Sequence, residues 1–384
     1  MRKILLVLCL VTLAACVNHS MTKVNKDFQS EVDRIRAEFN LPGMTAAYIL
    51  NDGTSGTASS GFSDIETKAL MKDNTRMLAA SIGKSFVGAL SIALAQEGRL
   101  TLDEPISRWL GKYDWFEQLP NHESITLRHL LTQSSGLPDH VHMEEFQKAF
   151  ASEWKKSENT FTPERLVRFI LNKPALFPAG QGWAYSDTGY ILAGMVLEEI
   201  IANSYYDEIH ARFIKPLKVS DTSPSDRRNL HGLSAGYMSS DNPFGLPAKT
   251  LDENGHLYLH PAIEWTGGGL ITTSLDLSRW GAALFTGKAL SGEYLSELFT
   301  AAAIDPNATD IQYGAGIAIN TNGRFGPVYG HAGWIPGYIS SLRHYRNSGV
   351  TIAFQINTDS GVIASNKSVV KKIEERLLEI VIEK

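Results

Sequence analysis

The chain has 384 residues, 43% hydrophobic and 20% charged, with a formal net charge of -5. That balance excludes a disordered or fibrous chain and leaves no basic footprint for nucleic acid, so it describes a globular body with a large core. No repeat, low-complexity tract or long linker divides it.

Met1-Arg2-Lys3 followed by the apolar run Ile4 to Leu13 reads as a secretory signal, too short for a bilayer span. Leu13-Ala14-Ala15-Cys16 resembles a bacterial lipobox, which implies cleavage before Cys16 and lipid attachment to its sulfur. Ordinary cleavage with Cys16 incidental is the alternative. The expectation is therefore a signal over 1–15, a lipid-anchored tether over 16–24 and a periplasm-facing envelope lipoprotein held to the membrane through its anchor. Val17, where an Asp would favour the inner membrane, points to the outer one. Losing Arg2 and Lys3 moves the charge from -5 to -7. Cys9 leaves with the signal and Cys16 carries the lipid, so no thiol remains for a disulfide, a metal or redox chemistry.

Phe28, Val32, Ile35 and Phe39 form one apolar stripe and predict a helix over about 25–39. Residues 44–50 and 54–60 read as a hairpin about Asn51-Asp52-Gly53. Helical patterns dominate from about 77 to 215, with loops at Ser134-Ser-Gly-Leu-Pro138 and Phe177-Pro-Ala-Gly180. Strands return beyond about 265. Residues 338–345 and 350–357 make a second hairpin, and an amphipathic helix covers about 366–383. The expected fold class is α/β (α+β), an antiparallel sheet flanked by helices and built from both chain ends (25–76 plus 265–384). A mainly helical region (77–264) is inserted between them, with the active site at the seam.

Within that region, Ser81 and Lys84 stand three apart at the head of an almost uncharged helix, where Oγ and Nζ can meet. A serine activated in this way suits acyl transfer. The spacing alone is cheap, because Ser20–Lys23, Ser152–Lys155 and Ser368–Lys371 share it. Company distinguishes Ser81. Tyr185-Ser186-Asp187 stands in a loop before the apolar helix 190–201, and His331-Ala332-Gly333-Trp334 precedes the second hairpin.

In this order the motifs resemble the serine hydrolase family of class C β-lactamases, D-alanyl-D-alanine carboxypeptidases, D-aminopeptidases and related family VIII esterases, with a β-lactamase/transpeptidase-like fold. Stretches such as Gly98-Arg-Leu-Thr-Leu-Asp-Glu-Pro105, Ile125 to Pro138 and Gly267 to Leu277 look familial as well. The resemblance implies that Ser81 is the nucleophile and that Lys84 and Tyr185 share the acid/base work, either one open as first proton acceptor. It implies an oxyanion site from the Ser81 and Trp334 backbone N–H groups, with Gly333 admitting a close approach to substrate. His331 would bond Tyr185 or a substrate carboxylate. No cofactor and no metal are implied.

Two departures bear on substrate. Asp187 stands where the family commonly has Asn, so it cannot donate to an amide carbonyl and would hold Lys84 charged. His331 stands where a Lys could grip a carboxylate. Both weigh against efficient β-lactamase activity and leave D-amino-acid peptide, amide and ester substrates, peptidoglycan-derived ones included. A carboxylesterase or weak β-lactamase is the alternative, and a non-catalytic penicillin-binding-like lipoprotein is the rival of another class. Gly232-Leu-Ser234-Ala-Gly236 has the spelling of a nucleophile elbow without its strand–turn–helix context. Tyr205-Tyr-Asp207 and Tyr345-Arg-Asn347 match the loose second motif out of context, at a helix end and in a hairpin turn. His140 and His142 lack a third ligand and read as surface-loop histidines. Gly267-Gly-Gly269 reads as a close backbone approach in a strand.

Overall fold

The computed structural model describes residues 23–242, 244–362 and 368–383. The expected signal peptide, the lipidation site Cys16 and most of the tether lie outside the described residues. A helix covers 23–38, after which β1 (Gly43–Ile49) and β2 (Ser55–Asp64) form the first hairpin. Its turn is closed by Asp52, whose Oδ1 accepts from Thr54 N at 2.8 Å, and by Gly53 at φ +86°. The remaining strands are β3 (Ala69–Leu70), β4 (Met77–Leu78), β5 (Ser223–Pro224), β6 (Leu270–Thr272), β7 (Ala302–Asp305), β8 (Ala308–Tyr313), β9 (Ala318–Asn320), β10 (Val328–Ile335), β11 (Tyr338–Tyr345) and β12 (Val350–Ile356).

Nine of them make one sheet in the order β3-β2-β1-β12-β11-β10-β9-β8-β7, so strands from the two ends of the chain meet at β1 and β12. That pairing is antiparallel, Met44 opposite Ile356 and Ile49 opposite Thr351. One face is covered by the 23–38 and Ser368–Ile382 helices, where Phe28, Val32 and Ile35 join Ile373, Leu377, Phe354 and Ile356 in one apolar cluster. Arg376 ties those helices together through Glu31 (2.6 Å) and Glu38 (2.6 Å). The helix Ser274–Phe285 packs on the other face, with Ser274 and Ser278 bonded to Thr45 and Ala47 of β1. β4, β6 and β5 form a small second sheet. The inserted part is mainly helical, centred on Lys84–Gln96 and Asp187–Ile201. These two helices are apolar nearly all round, as elements sunk inside a larger core must be.

Candidate active site

Ser81 lies in a single 3-10 turn, Ala80–Gly83, and the α-helix begins at Lys84. The helix head expected at the serine is thus displaced by one turn. Ala80 adopts φ +49°, the left-handed region that costs a non-glycine residue about 1–3 kcal/mol. Two other strained non-glycine residues flank the site, Gln133 at φ +60° and Trp265 at φ +36°.

Lys84 is fully buried. Its Nζ donates to Ser81 Oγ at 3.0 Å and to the Gly267 carbonyl, and lies 2.5 Å from Asp187 Oδ1 in an ion pair. An ammonium has three N–H donors, and here it meets three acceptors. The nitrogen also stands 5.0 Å from the Tyr185 ring centre and 5.4 Å from that of Tyr190. Gly267 delivers its carbonyl because Gly83 and Gly268 touch: a side chain on Gly83 would meet Gly268 O at 2.6 Å. The close approach expected of the Gly267–Gly269 run is present, in the turn before β6 rather than in the strand.

Asp187 is not in a loop. Ser186 caps the helix Asp187–Ile201, its Oγ accepting from Gly189 N at 3.3 Å, which puts Asp187 in the first turn where a carboxylate is favoured. Its side chain remains 30% exposed. The Tyr185 hydroxyl is buried, and the side chain that acts on its oxygen is Ser81, although no partner among the described residues meets it at full hydrogen-bond geometry. Burial, and then the Asp187 charge, push its phenol well above the ordinary range.

His331 is buried on β10, its ring 6.2 Å from that of Tyr185, and its hydrogen bonds go elsewhere. Its Nε2 bonds the hydroxyl of Tyr313 at 2.7 Å and its Nδ1 the Ala332 carbonyl at 2.5 Å. Burial and the nearby Lys84 push the imidazole down to about 3, so it is neutral. Gly333 admits a close approach to the segment before Ser81: a Cβ there would meet Ala79 O and Ser340 Oγ, both at 2.3 Å. On β10, β9 pairs only as far as Gly330, which leaves the following backbone, Trp334 included, unpaired on that edge by any strand among the described residues. The Trp334 side chain is 43% exposed and bonds Asp359 Oδ2 at 3.1 Å.

Two carboxyl groups join the site without having been expected. Asp139 is buried, and burial followed by the Asp187 charge pushes it up to about 7. Glu264, on the turn that supplies Gly267, is pushed up to about 8 by burial against the pull of Lys84, and its Oε2 has no partner. Asp139 directly follows the Ser134–Pro138 stretch, which is the one sequence signal that could have found it. Nothing local marks Glu264 or Tyr313.

The rival motifs fall elsewhere. Ser234 is buried in a loop, its Oγ donating to Ser63 O at 2.8 Å, with no strand-to-helix elbow around it. Ser152 is exposed and bonds its own helix at Ala149 O. His140 is not a surface residue. It is buried and pushed down to about 4 by that burial, with Nδ1 at 2.9 Å from Thr188 Oγ1, while His142 is exposed. An apolar hollow lined by Leu78, Met238, Leu246, Leu257, Ile335 and Tyr338 contains none of the Ser81, Lys84, Tyr185 and His331 set.

Comparison with known proteins gives the family and the fold. The family model described as Beta-lactamase matches residues 28–369. A D-stereospecific amidohydrolase from Streptomyces sp. superposes with a TM-score of 0.73 at 28% identity, covering 89% of this chain and 98% of that one. A D-amino acid amidase from Ochrobactrum anthropi SV3, complexed with L-phenylalanine, gives 0.78 at 25% identity, covering 93% and 98%. Among curated relatives, penicillin-binding protein 4* of Bacillus subtilis (strain 168) is 26% identical over 78% of this chain and 65% of its own length. Protein flp of Staphylococcus aureus (strain N315) is 26% identical over 54% of this chain and 41% of its own. The chain thus spans less than two thirds of the length of either curated relative.

Proposed function

This chain belongs to the β-lactamase family, and we propose that it is a serine hydrolase working through an acyl-enzyme, in which Ser81 carries the acyl group of a D-amino-acid amide, peptide or ester. The observation that carries the reading is Lys84, a buried cation held on Ser81 Oγ, Asp187 and the Gly267 carbonyl. Keeping an ammonium out of water is expensive unless something uses it.

In the proposed cycle Asp187 takes one proton from Nζ, and the resulting amine accepts the Ser81 proton as Oγ bonds to the acyl carbon. The backbone N–H groups of Ser81 and Trp334 hold the oxyanion. Tyr185, kept protonated by burial, gives its proton to the leaving nitrogen and recovers one through Lys84. Water then cleaves the ester to Ser81, its proton returning by the same groups.

The charges acting on Tyr185, Asp139 and Glu264 are Asp187, Lys84 and Asp139, and Lys84 is already paired with Asp187, so it is not free to hold a substrate carboxylate. His331 is neutral. Such a cavity suits a substrate whose amine is free and offers little grip for a carboxylate. D-amino-acid amides and peptides with a free N-terminus therefore come ahead of D-Ala-D-Ala peptides, and slow or absent nitrocefin turnover is expected. The relatives named for amidase activity support the same order.

For location, the proposal is an envelope lipoprotein anchored through Cys16. It rests on the signal-like run and the Leu13–Cys16 sequence. No helix among the described residues is long and apolar enough to cross a membrane.

The test uses protein purified from the membrane fraction, whose intact mass reads any lipid on Cys16. A fluorophosphonate probe should label it, with labelling lost in Ser81→Ala and kept in Ser234→Ala. Turnover is then compared for D-amino-acid amides, D-Ala-D-Ala peptides, p-nitrophenyl esters and nitrocefin. Rapid nitrocefin hydrolysis would refute the substrate reading, and a folded protein without labelling would point to a binding module.

A further inference from the structure

Tyr313 ends β8 and is buried, and its surroundings are built to hold it still. The turn after it packs on the Lys84–Gln96 helix so closely that a Cβ on Gly88 would meet Ala315 O at 2.1 Å, and one on Gly316 would meet Lys84 O at 2.3 Å. Its ring stands edge-on to that of Tyr185, centroids 6.1 Å apart at 89°. Gln133 and Tyr190 also act on its oxygen, but the bond to His331 Nε2 is the one that is formed.

Direction follows from chemistry. The Ala332 carbonyl can only accept, so His331 Nδ1 bears the hydrogen. In a neutral imidazole the other nitrogen is then an acceptor, and the Tyr313 hydroxyl donates to it. His331 faces Lys84 and Arg343, which disfavour its charge, and Asp187, which favours it. The Tyr185 and His331 rings are 6.2 Å apart, and the Tyr185 hydroxyl is directed by Ser81 without meeting any acceptor among the described residues at full hydrogen-bond geometry.

We propose that Tyr313 is a positioning residue of this site: by occupying His331 Nε2 it keeps the imidazole from capturing the Tyr185 hydroxyl, which stays available to the reacting atoms. The inference rests on Tyr185 being the acid toward the leaving group. Without Tyr313, Nε2 is an open acceptor that would draw the nearby Tyr185 hydroxyl away from Ser81. Tyr185 would turn away from the substrate, and the loss would fall on poor leaving groups, which need a proton, rather than on good ones.

The experiment compares wild type, Tyr313→Phe, His331→Gln and the double variant on the best amide and the best p-nitrophenyl ester of the panel. In Tyr313→Phe, kcat for the amide should drop at least about tenfold with KM nearly unchanged, and kcat for the ester by less than about twofold. The double variant should be no worse than His331→Gln, since the damage passes through the imidazole. Nitrogen-15 NMR of the wild type should show His331 protonated on Nδ1 and bare on Nε2. Equal losses on amide and ester, additive losses in the double variant, or an Nε2–H or charged His331 would each overturn the proposal. The NMR reading decides even if Tyr313→Phe does not fold. If Ser81→Ala retains turnover, the functional reading has failed instead, and the tautomer still tests the Tyr313–His331 bond.

Discussion

A single missing methyl group shapes the centre of this site. Gly333 lies against Ala79 O and Ser340 Oγ, and Ser340 Oγ also donates to that same carbonyl at 2.6 Å. The carbonyl belongs to the segment that presents Ser81, so β10 is pressed onto the nucleophile's own chain. Gly333→Ala should cost about 1–3 kcal/mol of stability, because backbone has to give on one side or the other. It should also lower kcat/KM at least about tenfold by displacing Ser81, since small misplacements at a reacting centre are costly. Denaturant unfolding and initial rates read the two effects separately, and a stable variant with wild-type rates would contradict this packing. The glycine itself is visible in the sequence, and the expectation of a close approach is right. Its partner is not visible, because only the fold brings Ala79 over residue 333.

Among the elements, the Lys84–Gln96 helix shows where packing overrides intrinsic preference. Alanine normally improves a helix interior over glycine by about 1 kcal/mol. At Gly88 the order should invert, since the new Cβ would meet Ala315 O at 2.1 Å. Gly88→Ala is expected to lose about 1–3 kcal/mol and to slow amide turnover, because the displaced turn carries Tyr313 on one side and contacts Lys84 on the other. A raised thermal midpoint would refute it. The elements that were legible beforehand are those with strong patterns: the helix at 23–38, both hairpins and the C-terminal helix lie within two or three residues of expectation, except that β2 runs four residues further, to Asp64. The start of the Asp187 helix was misplaced because Tyr185-Ser-Asp187 reads as loop until the Ser186 cap is recognised. Ser81, Lys84, Tyr185 and His331 were found by motif and do converge. Asp139, Glu264 and Tyr313 were missed because their place depends on burial beside Lys84, which has no spelling in the chain.

The whole molecule combines two opposing sets of buried titratable groups, and its pH response follows from them. His140, His344 and His331 are buried and pushed down to about 4, 4 and 3. Unfolding returns them to about 6.5, so their contribution is present above that pH and is lost as pH falls toward 4 and below. Asp139 and Glu264 act in the other direction. Burial raises them to about 7 and 8, so their contribution is full below the unfolded carboxyl range and is lost as pH rises through 7 and 8. Above about pH 6.5 only the carboxyl slope remains. Urea titrations across pH should therefore place maximal stability near pH 6.5 and show a decline by about pH 8.5. Glu264→Gln should flatten that alkaline decline; an unchanged decline would show that Glu264 is ionised in the folded protein at neutral pH.

The meeting of β1 with β12 has a further consequence, one of timing. A ribosome delivers β1 some 300 residues before the strand it must lie beside, and the serine, lysine, tyrosine and histidine of the site all emerge before that strand. The long-range pairing makes completion of the sheet a late and slow event. Ser81, Lys84 and Tyr185 are thus made well before His331 and Trp334, and the whole set precedes the strand that completes the sheet.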